Sequence, residues 1–173
     1  MKDLYVLVLS FGEKSTVKIC NFLRNNKINY TVIYPNEHLP DVNLYTHAIL
    51  SGGPRHVYNE NYYKLPPDIV NSNIPVLGIC YGMQLIAHTY GGYVNKMSKK
   101  EVGCVLVDGH LKWMNRHDNV VSLPKKFVVV ERTNKGHIAS FTDGTKWWAV
   151  QYHPESTVCP DYKTFYNFLG IMS

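Results

Sequence analysis

No two cysteines in this 173-residue sequence stand at Cys-x-x-Cys spacing, and none stands with a histidine in the pattern of a zinc site. A finger- or ribbon-type metal is therefore excluded. The four cysteines, Cys20, Cys80, Cys104 and Cys159, are scattered, which reads as reduced thiols, and neither a structural metal nor a cofactor is expected. No apolar run approaches the ~20 residues of a membrane-spanning helix. Met1-Lys2-Asp3-Leu4 passes straight into strand-like residues instead of the apolar core of a signal peptide. These two absences predict a soluble, cytoplasmic protein with no membrane partner. A phosphate-binding loop is missing as well: Gly12-Glu13-Lys14-Ser15-Thr16 has neither the Gly-Lys pair nor the glycine five residues before it. Nucleoside-triphosphate chemistry is not expected of this chain alone. The net charge of +5 is spread thinly, with tight basic pairs only at Lys99-Lys100 and Lys125-Lys126, so no nucleic-acid footprint is expected. There is no internal repeat, low-complexity tract or linker.

What is present suits one domain, residues 1–173. Hydrophobic residues make up 45% of the chain, ample for a single core. Leu4 to Leu9 is a continuous apolar run of the kind buried on both faces of a parallel sheet, and Thr16 to Asn26 follows with helical spacing. Tyr30–Tyr34, Ala48–Leu50 and Val76–Ile79 read as further strands, each separated by a crossover long enough for parallel pairing. The expected fold is a doubly wound α/β domain, a mostly parallel central sheet flanked by helices. After Gly91-Gly92 short alternating runs at 103–107, 127–131, 137–141 and 147–152 predict a small antiparallel extension feeding back to that sheet. Asp161 to Leu169 closes the chain as a helix with Tyr162, Phe165, Tyr166 and Leu169 on one packed face.

The chemistry concentrates in three places. Gly78-Ile79-Cys80-Tyr81-Gly82 joins a buried strand to a helix by a sharp turn, with glycines expected to ease a strained backbone. Such an elbow lifts the thiol onto the positive end of the helix, which favours thiolate. Far downstream, a strand-like run ends in Gln151-Tyr152-His153-Pro154-Glu155. Proline keeps His153 extended, so its imidazole can stand at the sheet edge beside Cys80, with Glu155 on the far ring nitrogen. Nucleophile, base and orienting carboxylate complete a triad. Ser51-Gly52-Gly53-Pro54 leaves backbone N–H groups open to a ligand at Gly52 and Gly53, and the N–H groups of Gly53 and Tyr81 are placed to receive an oxyanion. Gln84, one helical turn past Cys80, shares the face of the elbow and can grip a polar substrate.

These three motifs, over nearly the whole chain, resemble those of a class I (triad) glutamine amidotransferase. Within that family Phe11-Gly12, Ser51-Gly52-Gly53-Pro54 with Val57-Tyr58, Lys100-Glu101-Val102-Gly103 and Trp113-Met114-Asn115 leading to Asp118 are most similar to the glutaminase domain or subunit of GMP synthetases. The resemblance implies that glutamine is the substrate, with Gln84 and the backbone of Arg116-His117-Asp118 holding its α-amino and carboxylate groups. It also implies a partner, a separate ATP-pyrophosphatase synthetase subunit that takes the ammonia. Met114-Asn115-Arg116-His117-Asp118 departs from the family's Met-Ser-His-Gly-Asp, and Ser10 stands where the family carries an aspartate. Two other readings stay open, a stand-alone γ-glutamyl hydrolase using the same triad and a non-catalytic regulatory relative.

Overall fold

Strand β1 (Tyr5–Leu9) fills an interior position because Val6, Leu7, Val8 and Leu9 are apolar toward both faces of a sheet. The computed structural model describes residues 3–172. Helix α1 (Glu13–Asn25) follows, then β2 (Asn29–Ile33), β3 (His47–Leu50), the five-residue α2 (Pro67–Asn71), β4 (Val76–Ile79) and α3 (Tyr81–Thr89). β5 (Tyr93–Val107) and β6 (His110–Ser122) form a long hairpin. β7 (Val128–Arg132), β8 (Ile138–Thr142), β9 (Trp147–Val150) and α4 (Tyr162–Leu169) complete the chain.

Seven strands make one sheet in the order β2-β1-β3-β4-β9-β8-β7. Pairing is parallel from β2 through β9, and β8 and β7 add antiparallel at the far edge. Apolar side chains cover both faces. Val6, Val8, Leu77 and Ile79 pack with Ile19, Phe22 and Leu23 of α1 and Phe165 and Leu169 of α4. Leu7, Leu9 and Leu50 pack on the other side with Leu85 and Ile86 of α3 and Ile69 of α2. The aromatic face of α4 is core as expected, with Phe165 stacked on Phe22 at 4.5 Å between centroids.

The expected doubly wound, mostly parallel sheet is present, and two details differ. β9 belongs to the parallel part, pairing with β4 from Val76↔Trp147 to Ile79↔Val150. The antiparallel extension is mainly the separate β5–β6 arm, in which β6 fell outside every expected strand. Its alternating, half-exposed residues carry little apolar signal because the arm stands off the core.

The cysteine reading also needs correction. Cys104 on β5 and Cys159 after β9 form a disulfide, with Cα atoms 6.3 Å apart, whereas Cys20 and Cys80 are free and buried. The pair lies 55 residues apart in sequence, and only the folding of the arm over the C-terminal segment brings it together. No helix among the described residues is long and apolar enough to cross a membrane.

Candidate active site

The backbone at Cys80 has φ 52° and ψ −102°, a left-handed conformation that a side chain adopts only under strain. Strand β4 ends there and α3 begins there. The flanking glycines serve a different end from the one expected, since neither Gly78 nor Gly82 has a positive φ. They let the turn close: a Cβ on Gly82 would lie 2.6 Å from the Leu50 carbonyl oxygen, and one on Gly78 2.6 Å from that of Gly82. Backbone proximity, not glycine's conformational freedom, requires them.

Pairing of β4 with β9 carries the second half of the site to the first. The Cys80 N–H donates to the Val150 carbonyl at 2.8 Å, which extends the register one step and sets Gln151 beside Cys80. Two residues on, His153 reaches the same place. Its N–H is fixed on the Trp113 carbonyl of β6 at 2.8 Å, and its Nδ1–H donates to Glu155 Oε1 at 2.7 Å. Burial by itself would lower the His153 pKa. The negative charges of Cys80 and Glu155, and hydrogen bonds to both, outweigh that and hold it well above the usual imidazole value. An imidazole whose charged form is favoured, set between a cysteine and a carboxylate, is an arrangement that can activate a cysteine as nucleophile.

Ser15, on the first turn of α1, was not singled out from the sequence. Its hydroxyl donates to Glu155 Oε1 at 2.8 Å and accepts the Gly52 N–H at 3.0 Å. The segment 12–16, which lacks the features of a phosphate loop, therefore supports the triad carboxylate and the Ser51-Gly52-Gly53-Pro54 turn together. A single serine at a helix start gives no sequence signal for partners 140 and 37 residues away.

A cleft of about 670 Å³ opens over Cys80 and His153. Gly52, Gly53, Gln84, Arg116, His117 and Asp118 all line it, but the Gly52 N–H, expected to be open to a ligand, is taken by the Ser15 hydroxyl at 3.0 Å. Glu155 is buried behind His153, and Tyr81 turns its phenol away to donate to the Tyr63 carbonyl at 2.8 Å. Only the backbone N–H of Tyr81, at the start of α3, remains for the oxyanion role. The Arg116 side chain is likewise turned inward, its Nε–H donating to Glu101 at 2.9 Å and its other nitrogens meeting Asn119 and His137. Its part in the cleft is backbone. Asp118 is held by two groups to which no site role was assigned from the sequence: His56 Nδ1 at 2.5 Å and the Tyr58 hydroxyl, which donates at 2.7 Å. Burial and the Asp118 charge push the Tyr58 pKa up to about 12, so it stays a neutral donor.

A model of the glutamine amidotransferase class-I family matches residues 7–171. The glutamine-hydrolysing GMP synthase of Thermotoga maritima is 37% identical over 163 residues, covering 87% of this chain and 32% of that protein. The Campylobacter hominis enzyme of the same name is 36% identical over 172 residues, covering 90% of this chain and 34% of that protein. The chain thus spans about a third of the length of these curated relatives. Among solved structures, a putative GMP synthase subunit from Thermoplasma acidophilum shares the fold with a TM-score of 0.80 at 23% identity, covering 98% of this chain and 94% of that one. A glutamine amidotransferase from Thermotoga maritima gives 0.78 at 21%, covering 96% and 82%.

Proposed function

The chain belongs to the class I glutamine amidotransferases, and from that premise we propose that it hydrolyses glutamine and passes the ammonia to a separate ATP-pyrophosphatase synthetase subunit, for GMP synthesis from XMP. The observation that carries the hydrolysis is the placement of His153 beside Cys80 at the floor of the cleft, with its Nδ1 on Glu155 at 2.7 Å.

The Cys80 thiolate attacks the side-chain carbonyl carbon of glutamine, and the carbonyl oxygen becomes an oxyanion received by the N–H groups of Gly53 and Tyr81. On collapse the C–N bond breaks and the His153 imidazolium gives its proton to the departing nitrogen, which leaves as ammonia. A γ-glutamyl thioester remains on Cys80. Neutral His153 then takes a proton from water, whose oxygen attacks the thioester; glutamate departs and the thiolate–imidazolium pair is restored. Glu155, itself held by Ser15, keeps the ring oriented through both steps. Gln84, with Asp118 and the backbone of Arg116 and His117, grips the amino-acid end of the substrate.

The partner reading is supported by the length relation: curated relatives named for the whole synthase carry about two thirds of their length outside the matched region. The Thermoplasma acidophilum neighbour, a putative subunit of such a synthase, matches over 94% of its chain. Glutamate release should be measured for the purified chain alone and with a candidate GMP synthetase ATP-pyrophosphatase subunit, with Cys80→Ala as control. Release that depends on Cys80 and rises with the partner is the expected result. No release under either condition would remove the glutaminase assignment.

A further inference from the structure

Gln151 belongs to the motif that ends in the triad, yet the reaction outlined above gives it no task. Its side chain is fully buried, and an amide in that position must find its hydrogen bonds inside the protein. It finds them in a short chain. Gln84 Nε2–H donates to Gln151 Oε1 at 3.3 Å, and Gln151 Nε2–H donates to the Cys80 sulfur at 3.5 Å. We propose that Gln151 is a further donor to the nucleophile, anchoring the anionic Cys80 sulfur, and that Gln84 is the positioning residue that fixes which end of the Gln151 amide faces it. The inference rests on Cys80 being the nucleophile of the proposed glutaminase.

The fold makes the contact obligatory. Cys80 and Gln151 are the next step of the β4–β9 register after Ile79↔Val150, and neighbouring parallel strands lie ~4.8 Å apart. The Gln151 N–H is itself tied to the Ala139 carbonyl of β8 at 2.8 Å, so β9 is anchored from its other side. Gln84 is set above the elbow by the first turn of α3, its N–H donating to the Cys80 carbonyl at 3.1 Å.

Orientation of the amide follows from donor and acceptor types. Turned end for end, Gln151 would present Oε1 to the sulfur and its NH2 to the NH2 of Gln84, replacing two attractions by two repulsions. With Gln84 also buried at 3% exposure, water does not screen the difference. The remaining polar neighbour of the sulfur is the Asn115 carbonyl oxygen at 3.6 Å, which accepts from a neutral thiol and opposes a thiolate. The Gln151 amide opposes that carbonyl. His153 alternates between charged and neutral during turnover, whereas Gln151 remains a donor throughout.

The test is the pH profile of Cys80 alkylation by iodoacetamide, followed by mass spectrometry of the Cys80 peptide between about pH 5 and 9. The unsubstituted protein is compared with Gln151→Met, which keeps the volume and removes the donor, and with Gln84→Met, which does not replace the group at the sulfur. Both variants retain the titratable and charged groups around the thiol, His153 and Glu155 beside it and Glu13, Lys14, Arg55, His56, Lys100, Arg116, His117 and Asp118 around the cleft. Gln151→Met is expected to move the profile upward by about one pH unit and to slow alkylation at neutral pH about tenfold. Gln84→Met is expected to move it in the same direction by less, and the double variant by no more than Gln151→Met alone. Unchanged profiles in folded variants would overturn the proposal. Should Gln151→Met fail to fold, Gln84→Met decides alone by the same criterion. Alkylation needs no glutamine, so a shifted profile in a chain that releases no glutamate would sink the glutaminase and leave the amide chain standing. Glutamate release with unshifted profiles would do the reverse.

Discussion

Ser15 and Glu155, 140 residues apart, meet through a 2.8 Å hydrogen bond whose serine oxygen also receives the Gly52 N–H at 3.0 Å. One hydroxyl therefore couples the triad carboxylate to the turn that borders the oxyanion position. Removing it leaves His153 Nδ1 as the remaining partner of Glu155 Oε1 and a buried backbone N–H at Gly52 without its partner. Hydrogen bonds to charged groups are worth ~1.5–3 kcal/mol. Ser15→Ala should lower kcat for glutamate release about tenfold, corresponding to ~1.4 kcal/mol, with KM changed much less. Steady-state kinetics on the two proteins checks this; equal kcat values would show that Glu155 holds its place without the serine.

The elbow glycines make a prediction of the opposite kind, about folding. A methyl group on Gly82 would sit 2.6 Å from the Leu50 carbonyl oxygen, in backbone that cannot step aside. Gly82→Ala should lower stability by about 1–3 kcal/mol, as overpacking does. Gly91→Ala meets nothing within 4 Å but has φ +87°, so its cost arises from backbone strain alone. Urea denaturation should give Gly82→Ala a lower midpoint than the unsubstituted protein, and alkylation of the folded variants should show Cys80 selectivity reduced in Gly82→Ala and retained in Gly91→Ala.

Asp118 supplies a test of substrate grip. Its carboxylate is already oriented by His56 and Tyr58, so it is prepared for the α-ammonium of an amino acid without rearrangement of the arm. Asp118→Asn should raise KM for glutamine about tenfold or more while lowering kcat by a smaller factor, the pattern of lost uniform binding. A fall in kcat with KM unchanged would move Asp118 from substrate binding to the chemistry.

How much of this was legible in the sequence depends on where each signal resides. β1 and β4 were readable as apolar runs because parallel strands are buried on both faces. Cys80 with its turn and His153 with Glu155 were readable because each motif is local, and strand topology brings their ends together without further information. The β5–β6 arm was mostly missed: Lys96, Ser98, Lys99 and Lys100 interrupt its pattern, and its pairing slips between Lys96 and Glu101. Ser15, His56, Tyr58 and the Cys104–Cys159 pair were missed for one common reason. Each acts through contact with a residue tens of positions away, which no short-range periodicity encodes.

That disulfide ties the arm to the segment just past the triad. Cys104 pairs across the arm with Trp113, whose carbonyl holds the His153 N–H. Closing a loop of this length contributes about 4 kcal/mol by the chain-entropy relation. Cys159→Ala, or reduction of the native protein, should lower the urea midpoint accordingly, and reductant should have no further effect on the variant. The Lys112–Asp161 ion pair at 2.5 Å and the His153–Trp113 hydrogen bond still join arm and loop. Glutamate release per folded molecule should therefore fall by less than about threefold, a change of ~0.7 kcal/mol in barrier.

His153 carries the pH dependence. Its pKa in the folded protein is raised above the unfolded imidazole value, so the folded state binds the proton more tightly. The resulting stabilisation is fully present below the unfolded pKa of ~6.5 and is lost as pH rises through the higher folded value. Removing the sulfur charge in Cys80→Ala leaves only Glu155 to offset burial, so the folded pKa must fall back toward the ordinary range. An NMR titration of the His153 ring should show the midpoint moving down in Cys80→Ala, and down again in Cys80→Ala with Glu155→Gln. The stability of the unsubstituted protein relative to Cys80→Ala should correspondingly decline above neutral pH. A His153 midpoint indifferent to Cys80 would mean that the sulfur carries no charge beside the ring, and the ion-pair account of the nucleophile would fail with it.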